Sequence, residues 1–314
     1  MKQASQDFLA HCRLEKNLSA HTLKAYQGDL NSFIRFLGPK VSPEQVGKEQ
    51  LRLFLGELKD GQQLKATSIK RRYACLKVFF AWLEEEERIS LTPFHRFRLQ
   101  LRLPHRLPRH LHRTELRQLF TLAAKAAGLD WRQGYPDVLS YRAQGAGTFG
   151  ALSLLVGIEL MYSTGIRVGE LVEIGLEELD LEAKEILIHG KGQRERRVYL
   201  MDSELLQLLG LYLAQRSRLN PDHPKLLCDA AGQPLDTAWV RQRIKALNLD
   251  RHVTPHMLRH SCATGLIECG TDIRFVQRLL GHQSISTTQL YTHIQDQALR
   301  QALTLAQPRR QMMG

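Results

Sequence analysis

Six side chains in this sequence are of the types needed to attack a phosphodiester bond. In chain order they are Arg167, Lys191, His256, Arg259, His282 and Tyr291. A tyrosine phenol becomes a nucleophile when a base or a cationic field favours its ionised form. Arginine, lysine and histidine stabilise negative charge on phosphate oxygens or carry protons. We therefore predict that Tyr291 displaces a sugar hydroxyl from a phosphate and leaves a phosphotyrosyl link.

The cations have separate expected roles. Arg167 and Arg259 are predicted to bind the non-bridging oxygens, because a planar guanidinium can hold two phosphate oxygens at once. Lys191 lies in a Gly-Lys-Gly sequence that suits the tip of a hairpin, from which it can protonate the leaving oxygen. Taken singly, Lys191 is typical of a surface turn, and Arg167 of a structural ion pair with Glu170. The prediction depends on the whole set.

Local patterns predict how the last four of these residues are positioned. Thr254 is expected to cap a helix that begins at Pro255, with His256 and Arg259 on one face of its first turn. The free N–H groups at a helix start also favour an anion. Gly281 is expected to end the next helix and to fix the turn from which His282 projects.

The same reasoning places Arg167 upstream. Gly165 is expected to end a helix, and Arg167 to open the next one. Glu170, three positions further, would orient a basic residue through a hydrogen bond.

No metal ion or cofactor is expected at this site. His256 and His260 are four residues apart, as in a helical zinc pair, but Arg259 lies between them and would repel a cation. The sequence shows no carboxylate cluster suited to Mg²⁺. The arginines are expected to neutralise the phosphate instead.

The composition predicts a nucleic-acid partner. Lysine and arginine outnumber the acidic residues by 44 to 32, which gives a net charge of +12 over 314 residues. Such an excess favours a polyanion, with nucleic acid ahead of an acidic membrane surface. We expect no membrane span and no signal peptide. Five scattered cysteines without a CxxC pair indicate a reducing compartment, the cytoplasm.

Residues 1–95 are predicted to form a helical domain. Apolar spacing indicates four helices, around Phe8, from Ser19 to Gly38-Pro39, over 50–58 and over 67–84. Four basic residues near the start of the last helix are candidates for base contacts in a DNA groove. They are Lys65, Lys70, Arg71 and Arg72.

Residues 96–112 are predicted to form a basic linker between two domains. Prolines prevent a continuous helix there, and the stretch contains no carboxylate. An extended basic segment can follow a phosphate backbone. Its candidate DNA-binding residues are Arg96, Arg98, Arg102, Arg106 and Arg109.

Residues 113–314 are predicted to form a larger domain, so the expected fold is mainly α with a small β-hairpin. Thr114 is expected to cap the first helix, and 128–150 is interpreted as an insertion because it lacks periodicity. A hairpin is expected over 185–189 and 196–200. The remaining segments predict helices at 151–162, 203–217, 237–247, 255–268, 272–280 and from 287 onward.

The ordered set of candidate residues resembles the tyrosine recombinase, or phage integrase, family. The tail Leu-Leu-Gly-His-Gln-Ser-Ile-Ser-Thr-Thr-Gln-Leu-Tyr-Thr-His, from Leu279 to His293, is similar to the Xer group of that family. The early motif Leu18-Ser19-x-x-Thr22-x-x-x-Tyr26-x-x-Asp29-Leu30-x-x-Phe33 resembles the Xer core-binding domain. The resemblance covers nearly the whole chain, and the ordered set is far more specific than any single motif.

The resemblance implies roles for the site residues and a shape for the protein. Arg167, Arg259 and His282 are expected to bind the scissile phosphate, with His256 assisting. Lys191 would act as the general acid toward the 5′-hydroxyl. A SAM-like helical domain and a mixed α/β catalytic domain would form a C-shaped clamp around duplex DNA.

The resemblance also implies the reaction and the assembly. Tyr291 would form a 3′-phosphotyrosyl intermediate, and strands would exchange through a Holliday junction without ATP. Four protomers, identical or shared with a paralogue, would act on an inverted-repeat core site in the nucleoid. A C-terminal tail containing Leu299, Leu303 and Leu305 would dock on a neighbouring protomer.

Several alternatives remain open at this point. The 128–150 stretch is longer than in the Xer pattern, and we expect no arm-binding domain before the first domain, which disfavours the lambda-type integrases. Dimer resolution of replicons, cointegrate resolution, and integration or excision of a mobile element all fit. A DNA-binding regulator with a decayed site and a type IB topoisomerase are the competing functions. The complete residue set argues against the first, and the Xer-like first domain and tail against the second.

Overall fold

The computed structural model describes residues 1–38, 40–97, 110–130, 135–136, 146–190, 194–281 and 300–306. The chain divides into two units, Met1–Arg106 and Leu107–Gly314, and the division falls within the basic stretch. Several predicted site residues lie outside the described residues: Lys191, His282, Tyr291, Arg98, Arg102, Arg106 and Arg109. In the part of the chain that the structure describes, every helix is too short or too polar to span a bilayer.

The first unit is helical, as its apolar spacing predicts. Its helices are α1 (Lys2–Leu14), α2 (Ala20–Leu37), α3 (Lys48–Gly56) and α4 (Ala66–Glu85). The hydroxyl of Ser19 accepts the N–H of Thr22 at 3.3 Å, which confirms the predicted cap of α2. Gly38 ends α2 with a φ of +87°, a backbone conformation that glycine adopts without strain. Aromatic and aliphatic side chains from all four helices form one core.

The second unit combines helices with a small sheet. In chain order its elements are α5 (Arg113–Ala126), α6 (Ala146–Thr164), α7 (Val168–Leu171), β1 (Leu179–Asp180), β2 (Glu185–Gly190), β3 (Arg194–Tyr199), α8 (Ser203–Leu219), α9 (Thr237–Ala246), α10 (Pro255–Glu268) and α11 (Ile273–Leu280). α6 is apolar on all sides and packs against α5, α8 and α10, so it lies at the centre of the core.

The predicted hairpin is confirmed, and a third strand extends it. β2 and β3 pair antiparallel, with Ile186 opposite Val198 and Ile188 opposite Arg196, and β1 pairs with the other edge of β2. Directly opposed residues share a face of the sheet. Arg196 therefore belongs to the same row as three buried aliphatic residues, and its charge needs polar partners within the unit.

One predicted helix cap is wrong, and another occupies its predicted place without the expected hydrogen bond. Thr114 lies inside α5, because the helix begins one residue earlier and Glu115 accepts the backbone N–H of His112 at 2.7 Å. Thr254 precedes α10 without a side-chain capping hydrogen bond, although Pro255 begins that helix as predicted. α6 also begins at Ala146, ahead of the predicted start at residue 151.

The helical segment 300–306 packs on its own unit. Arg300 donates to a carboxylate oxygen of Glu185 at 2.7 Å, and its guanidinium lies 4.4 Å from the ring centroid of Tyr199. Leu303 is buried in the core of the same chain, whereas Leu305 is 86% exposed. The docking of the tail on a neighbouring protomer stays a prediction. Leu299 lies outside the described residues.

Tyr135 fixes part of the 128–150 stretch to the core. Its hydroxyl donates to Oε1 of Glu159, a fully buried carboxylate in α6, at 2.8 Å. At the end of the stretch, Phe149 stacks on Tyr212 with ring centroids 5.7 Å apart. The stretch is therefore integrated into the second unit at these points.

We predict that Tyr135→Phe lowers the free energy of unfolding of the full chain by about 1–3 kcal/mol, because a buried carboxylate loses a hydrogen-bond donor. Urea denaturation measures the change. The matched control is Thr164→Val, which removes a buried hydroxyl that donates to a neutral carbonyl of the same helix, that of Leu160. The control is expected to lose less free energy of unfolding than Tyr135→Phe. Equal losses in the two variants would show that the bond of Tyr135 to Glu159 contributes no more to stability than an ordinary hydroxyl–carbonyl hydrogen bond.

Candidate active site

Glu170 lies at the centre of the described part of the site and binds two arginines. Its Oε1 accepts hydrogen bonds from Nη1 of Arg167 at 2.8 Å and Nη1 of Arg196 at 3.0 Å. Its Oε2 accepts the backbone N–H of Arg167 and Nη2 of Arg196, both at 2.8 Å. The carboxylate, whose side chain is 9% exposed, thus has two donors on each oxygen.

These bonds determine the charge of Glu170. Burial alone would raise the pKa of this carboxyl, but hydrogen bonds from Arg196 and Arg167 outweigh it and lower the pKa to about 2. Glu170 is therefore ionised at any pH at which the protein would act.

The local fold explains why Glu170 reaches Arg167. Gly165 ends the turn after α6 with a φ of +66°, and Arg167 is the residue that precedes α7. A glutamate at the third position of a helix can reach back to the N–H of the capping residue. The prediction that Gly165 separates two helices and that Arg167 opens the second is confirmed.

Arg259 is buried and bound by two backbone carbonyls. It is 6% exposed, and its Nη1 donates to the carbonyl of Gly165 and its Nη2 to that of Leu280, each at 2.5 Å. A guanidinium carries five N–H groups, so three are left for other acceptors. Burial and the nearby charge of Arg167 lower the pKa of Arg259 to about 10. The side chain remains protonated at neutral pH.

The cluster has an excess of positive charge. The guanidiniums of Arg167, Arg196 and Arg259 less the carboxylate of Glu170 leave a charge of +2 (3 − 1) among groups that perturb one another. Holding like charges together in a partly buried site is unfavourable unless an anion compensates them. A phosphodiester carries one negative charge and gains a second as a nucleophile adds. The charge of the cluster therefore matches the demand of that reaction.

Arg196 belongs to this cluster although its sequence context did not single it out. Besides binding Glu170, its Nε donates to the carbonyl of Leu279 at 3.1 Å. The alternation of β3 could have identified Arg196 from the sequence. Arg196 is two residues from the buried Val198, so both side chains lie on the same, inner face of the sheet. An arginine in such a row marks a buried polar contact.

The histidines of α10 lie on its outer side. His256 and His260 are exposed, whereas Arg259 between them is buried. Burial and the neighbouring charges of His256, Arg259 and His110 lower the pKa of His260. Among the described residues, histidine, cysteine and carboxylate side chains form no group of three that could hold a metal ion.

The described chain leads directly to the site residues that lie outside it. β2 ends at Gly190 and β3 begins at Arg194, so the paired strands bracket Lys191. α11 ends at Leu280, and Gly281 follows in the left-handed conformation with a φ of +63°, as predicted for the residue before His282.

The candidate DNA-binding residues of the first unit divide into two groups. Lys65 and Lys70 are exposed at the start of α4, and Arg96 is exposed beyond it. Arg71 and Arg72 approach the buried carboxylate of Asp29 in α2, at 2.5 Å and 3.6 Å. Arg71 is half-exposed.

Arg72 has the stronger structural role of the two arginines. Its side chain is 19% exposed, and its Nη1 donates to the hydroxyl of Ser32 at 2.9 Å. Burial raises the pKa of Asp29, and the two arginines oppose that rise. Arg72 therefore serves the packing of α2 on α4.

Comparison with known proteins gives this site and fold a family. Residues 6–87 match the phage integrase N-terminal SAM-like domain, and residues 142–298 match the phage integrase family. The chain therefore belongs to the phage integrase family, and it is a site-specific DNA recombinase of the tyrosine type. It is 34% identical to the tyrosine recombinase XerC of Listeria innocua, over 98% of both chains. The resemblance to the Xer group is thereby confirmed.

Solved structures share the two-domain fold. One is the XerH site-specific recombinase bound to a palindromic difH substrate, with a TM-score of 0.65, 24% identity, and coverage of 95% of this chain and 83% of that one. Another is a lambda integrase tetramer bound to a Holliday junction, with a TM-score of 0.64, 18% identity, and coverage of 92% and 79%. The mainly helical fold class predicted from the sequence is confirmed.

We predict that Gly165→Ala destabilises the catalytic unit by about 1–3 kcal/mol, because a side chain at positive φ is strained and the site is close-packed. A Cβ at Gly165 would lie 2.5 Å from Cδ2 of Leu280 and 3.3 Å from Sγ of Cys262. Thermal unfolding measures the loss. Gly169→Ala is the control, since a Cβ there meets nothing within 4 Å. If Gly165→Ala melted at the same temperature as the wild type, the close packing of Leu280 in α11 against Gly165 would be contradicted.

We also predict a pH-dependent difference between the wild type and Glu170→Gln. The pKa of Glu170 is lowered from 4.5 to about 2 by folding. Its ionised form therefore contributes roughly 3 kcal/mol, present in full above the unfolded pKa and lost as the pH falls from that value towards 2. Urea denaturation gives the free energy of unfolding of each protein. The difference between the two free energies should be constant from about pH 8 to 6 and should narrow below about pH 4.5. A gap unchanged at about pH 3 would contradict this assignment.

Proposed function

We propose that this recombinase breaks and rejoins DNA through Tyr291, with the arginine cluster as its phosphate site. The observation that carries the proposal is the cluster of Arg167, Arg196 and Arg259 around the single carboxylate of Glu170. Its excess charge calls for an anion. The described chain next to the cluster runs through Gly281 into His282, and Tyr291 follows a short distance on.

The proposed reaction is an in-line displacement at phosphorus. The phenol of Tyr291 gives up its proton to solvent, and its oxygen forms a bond to phosphorus while the bond to the 5′-oxygen breaks. Lys191 gives the departing 5′-oxygen a proton. Arg167, Arg259 and His282 bind the non-bridging oxygens, where charge develops. The product is a 3′-phosphotyrosyl link.

The same groups serve the rejoining step. A 5′-hydroxyl from the partner strand attacks the link and releases Tyr291, with Lys191 now taking the proton. The phosphodiester energy is conserved in the link, so strand exchange through a Holliday junction needs no ATP. His256, on the exposed side of α10, assists at the phosphate. Glu170 orients Arg167.

The domains are proposed to share the binding of duplex DNA. Residues 1–95 would read the core site with the exposed Lys65, Lys70 and Arg71, and 96–112 would follow the backbone. Residues 113–314 would carry the chemistry. Exposed lysines near a helix start suit groove contacts, and a segment rich in arginine suits phosphate contacts.

We propose that the active assembly is a tetramer on an inverted-repeat site, formed by this chain alone or with a paralogue. The lambda integrase whose fold this chain shares is a tetramer on a Holliday junction. A contact with the neighbour through the tail would use the exposed Leu305, since Leu303 is occupied within its own chain. Such an assembly would act on the chromosome in the cytoplasm.

Tyr291→Phe is expected to abolish covalent attachment to DNA while retaining DNA binding. Sequencing of DNA fragments trapped on the wild type identifies the site, and a nicked duplex of that site is then incubated with each protein. Adducts are counted on denaturing gels. Tyr26→Phe, a change in the first unit, is the control and should form the adduct.

Other outcomes would contradict the proposal. An adduct with Tyr291→Phe would assign the nucleophile elsewhere. If the wild type formed no adduct, the proposed reaction would be refuted. Relaxation of arbitrary plasmids without recombinants would indicate a topoisomerase.

A further inference from the structure

We propose that Arg196 is a positioning residue of the active site, which fixes the end of α11 and Gly281, the residue that precedes His282 in the chain. The inference rests on the function proposed above and adds a residue to it. Its basis is the set of contacts that one side chain makes with Glu170, Leu279 and Gly281.

The guanidinium of Arg196 joins two parts of the site. Its two terminal nitrogens bind both carboxylate oxygens of Glu170, at 3.0 and 2.8 Å. Its Nε binds the carbonyl of Leu279 at 3.1 Å. A planar group held at three points in this way has little freedom to rotate. Arg196 therefore transmits the position of α7 to the end of α11.

The end of α11 needs such an anchor. The last carbonyls of a helix lack partners within it and form the negative end of its dipole. Here two successive carbonyls are each bound by an arginine, that of Leu279 by Arg196 and that of Leu280 by Arg259. The two arginines come from β3 and α10, so α11 is fixed from two elements.

Gly281 lies against the same guanidinium. A Cβ built on Gly281 would lie 3.3 Å from Cδ and 3.4 Å from Nε of Arg196, closer than ordinary contact. Since Gly281 also has a φ of +63°, its backbone direction is set where it passes Arg196. His282 is the next residue in the chain. A shift of Arg196 would therefore displace Gly281, the residue to which His282 is joined.

Arg196 has a second effect, on the phosphate-binding arginine. By donating one hydrogen bond to each oxygen of Glu170, it limits Arg167 to one side-chain bond with that carboxylate. Arg167 is 42% exposed, and its other guanidinium N–H groups are free to point outward. Without Arg196, Glu170 would draw Arg167 towards itself and away from the phosphate.

The test compares Arg196→Lys with Arg197→Lys. Lysine keeps the charge at position 196 but cannot reproduce three bonds from one planar group. Arg197 is the neighbouring residue of the same strand, alternates to the other face, and pairs with Glu185 instead. Both variants are first checked for folding by their melting temperatures. DNA affinity and the single-turnover rate of adduct formation at saturating DNA are then measured on the full chain.

Arg196→Lys is expected to slow adduct formation by about 10- to 100-fold, because sub-ångström to 1 Å displacements of reacting groups have effects of this size. Its dissociation constant for DNA should change far less than the rate, since at most the contact of Arg167 with one phosphate is weakened. Arg197→Lys should match the wild type in both. A wild-type rate in Arg196→Lys, or a loss confined to DNA affinity, would overturn the inference.

A substrate with sulfur in place of the scissile 5′-oxygen locates the defect. The thiolate leaves without a proton, so this substrate should restore the rate of Lys191→Ala but not that of Arg196→Lys. If the substrate restored the rates of both variants equally, Arg196 would act through Lys191, the residue after β2. That result would overturn its assignment to the end of α11.

A second variant covers the case in which Arg196→Lys does not fold. Glu170→Gln weakens the same bonds. It should therefore also slow adduct formation on the thiolate-releasing substrate. Where both fold, the loss in the double variant should be smaller than the product of the two single losses, because the two changes share the Arg196–Glu170 interaction. Additive losses would contradict the coupling. If the wild type forms no adduct at all, the proposed function fails, whereas an active wild type with an equally active Arg196→Lys refutes only this inference.

Discussion

The described part of the site depends on one ionised carboxylate that binds two arginines. Glu170 accepts hydrogen bonds from Arg167 and Arg196 on both of its oxygens, and these bonds keep it charged in a largely buried place. Arg196 in turn binds the end of α11, and Arg259 binds the next carbonyl of that helix together with the turn at Gly165. Four elements, α7, β3, α10 and α11, are thereby fixed relative to one another within the catalytic unit.

This arrangement leaves the cluster short of negative charge. Three guanidiniums share one carboxylate, and the backbone carbonyls that bind Arg259 are dipoles that offset its charge only in part. The remaining charge cannot be relieved by proton loss at neutral pH, since even the lowered pKa of Arg259 is about 10. The cluster is consequently suited to an oxyanion, and a phosphate that enters meets donors that are already oriented.

Much of this could be predicted from the sequence, and the exceptions have a common physical cause. Helical periodicity, the alternation of the hairpin and the glycines at 165 and 281 are local signals, and they hold across the residues that the structure describes. The contacts of Arg196 with Glu170 and of Arg72 with Asp29 join residues far apart in the chain, and no local pattern specifies such pairs. The predicted cap of α5 at Thr114 is wrong because the carboxylate of Glu115 accepts the N–H of His112. That bond makes His112, not the threonine, the capping residue.

The central claim is that the arginines form an oxyanion site before DNA arrives. It is tested most directly by the melting temperature of the DNA-free protein as sulfate replaces chloride at constant ionic strength. An anion bound only by the native state raises stability by about 1.4 kcal/mol when its concentration is near tenfold its dissociation constant. Wild type and Arg274→Ala, which removes an exposed arginine of α11, should gain equally from sulfate, and Arg167→Ala should gain distinctly less. Identical gains in all three proteins would contradict the claim.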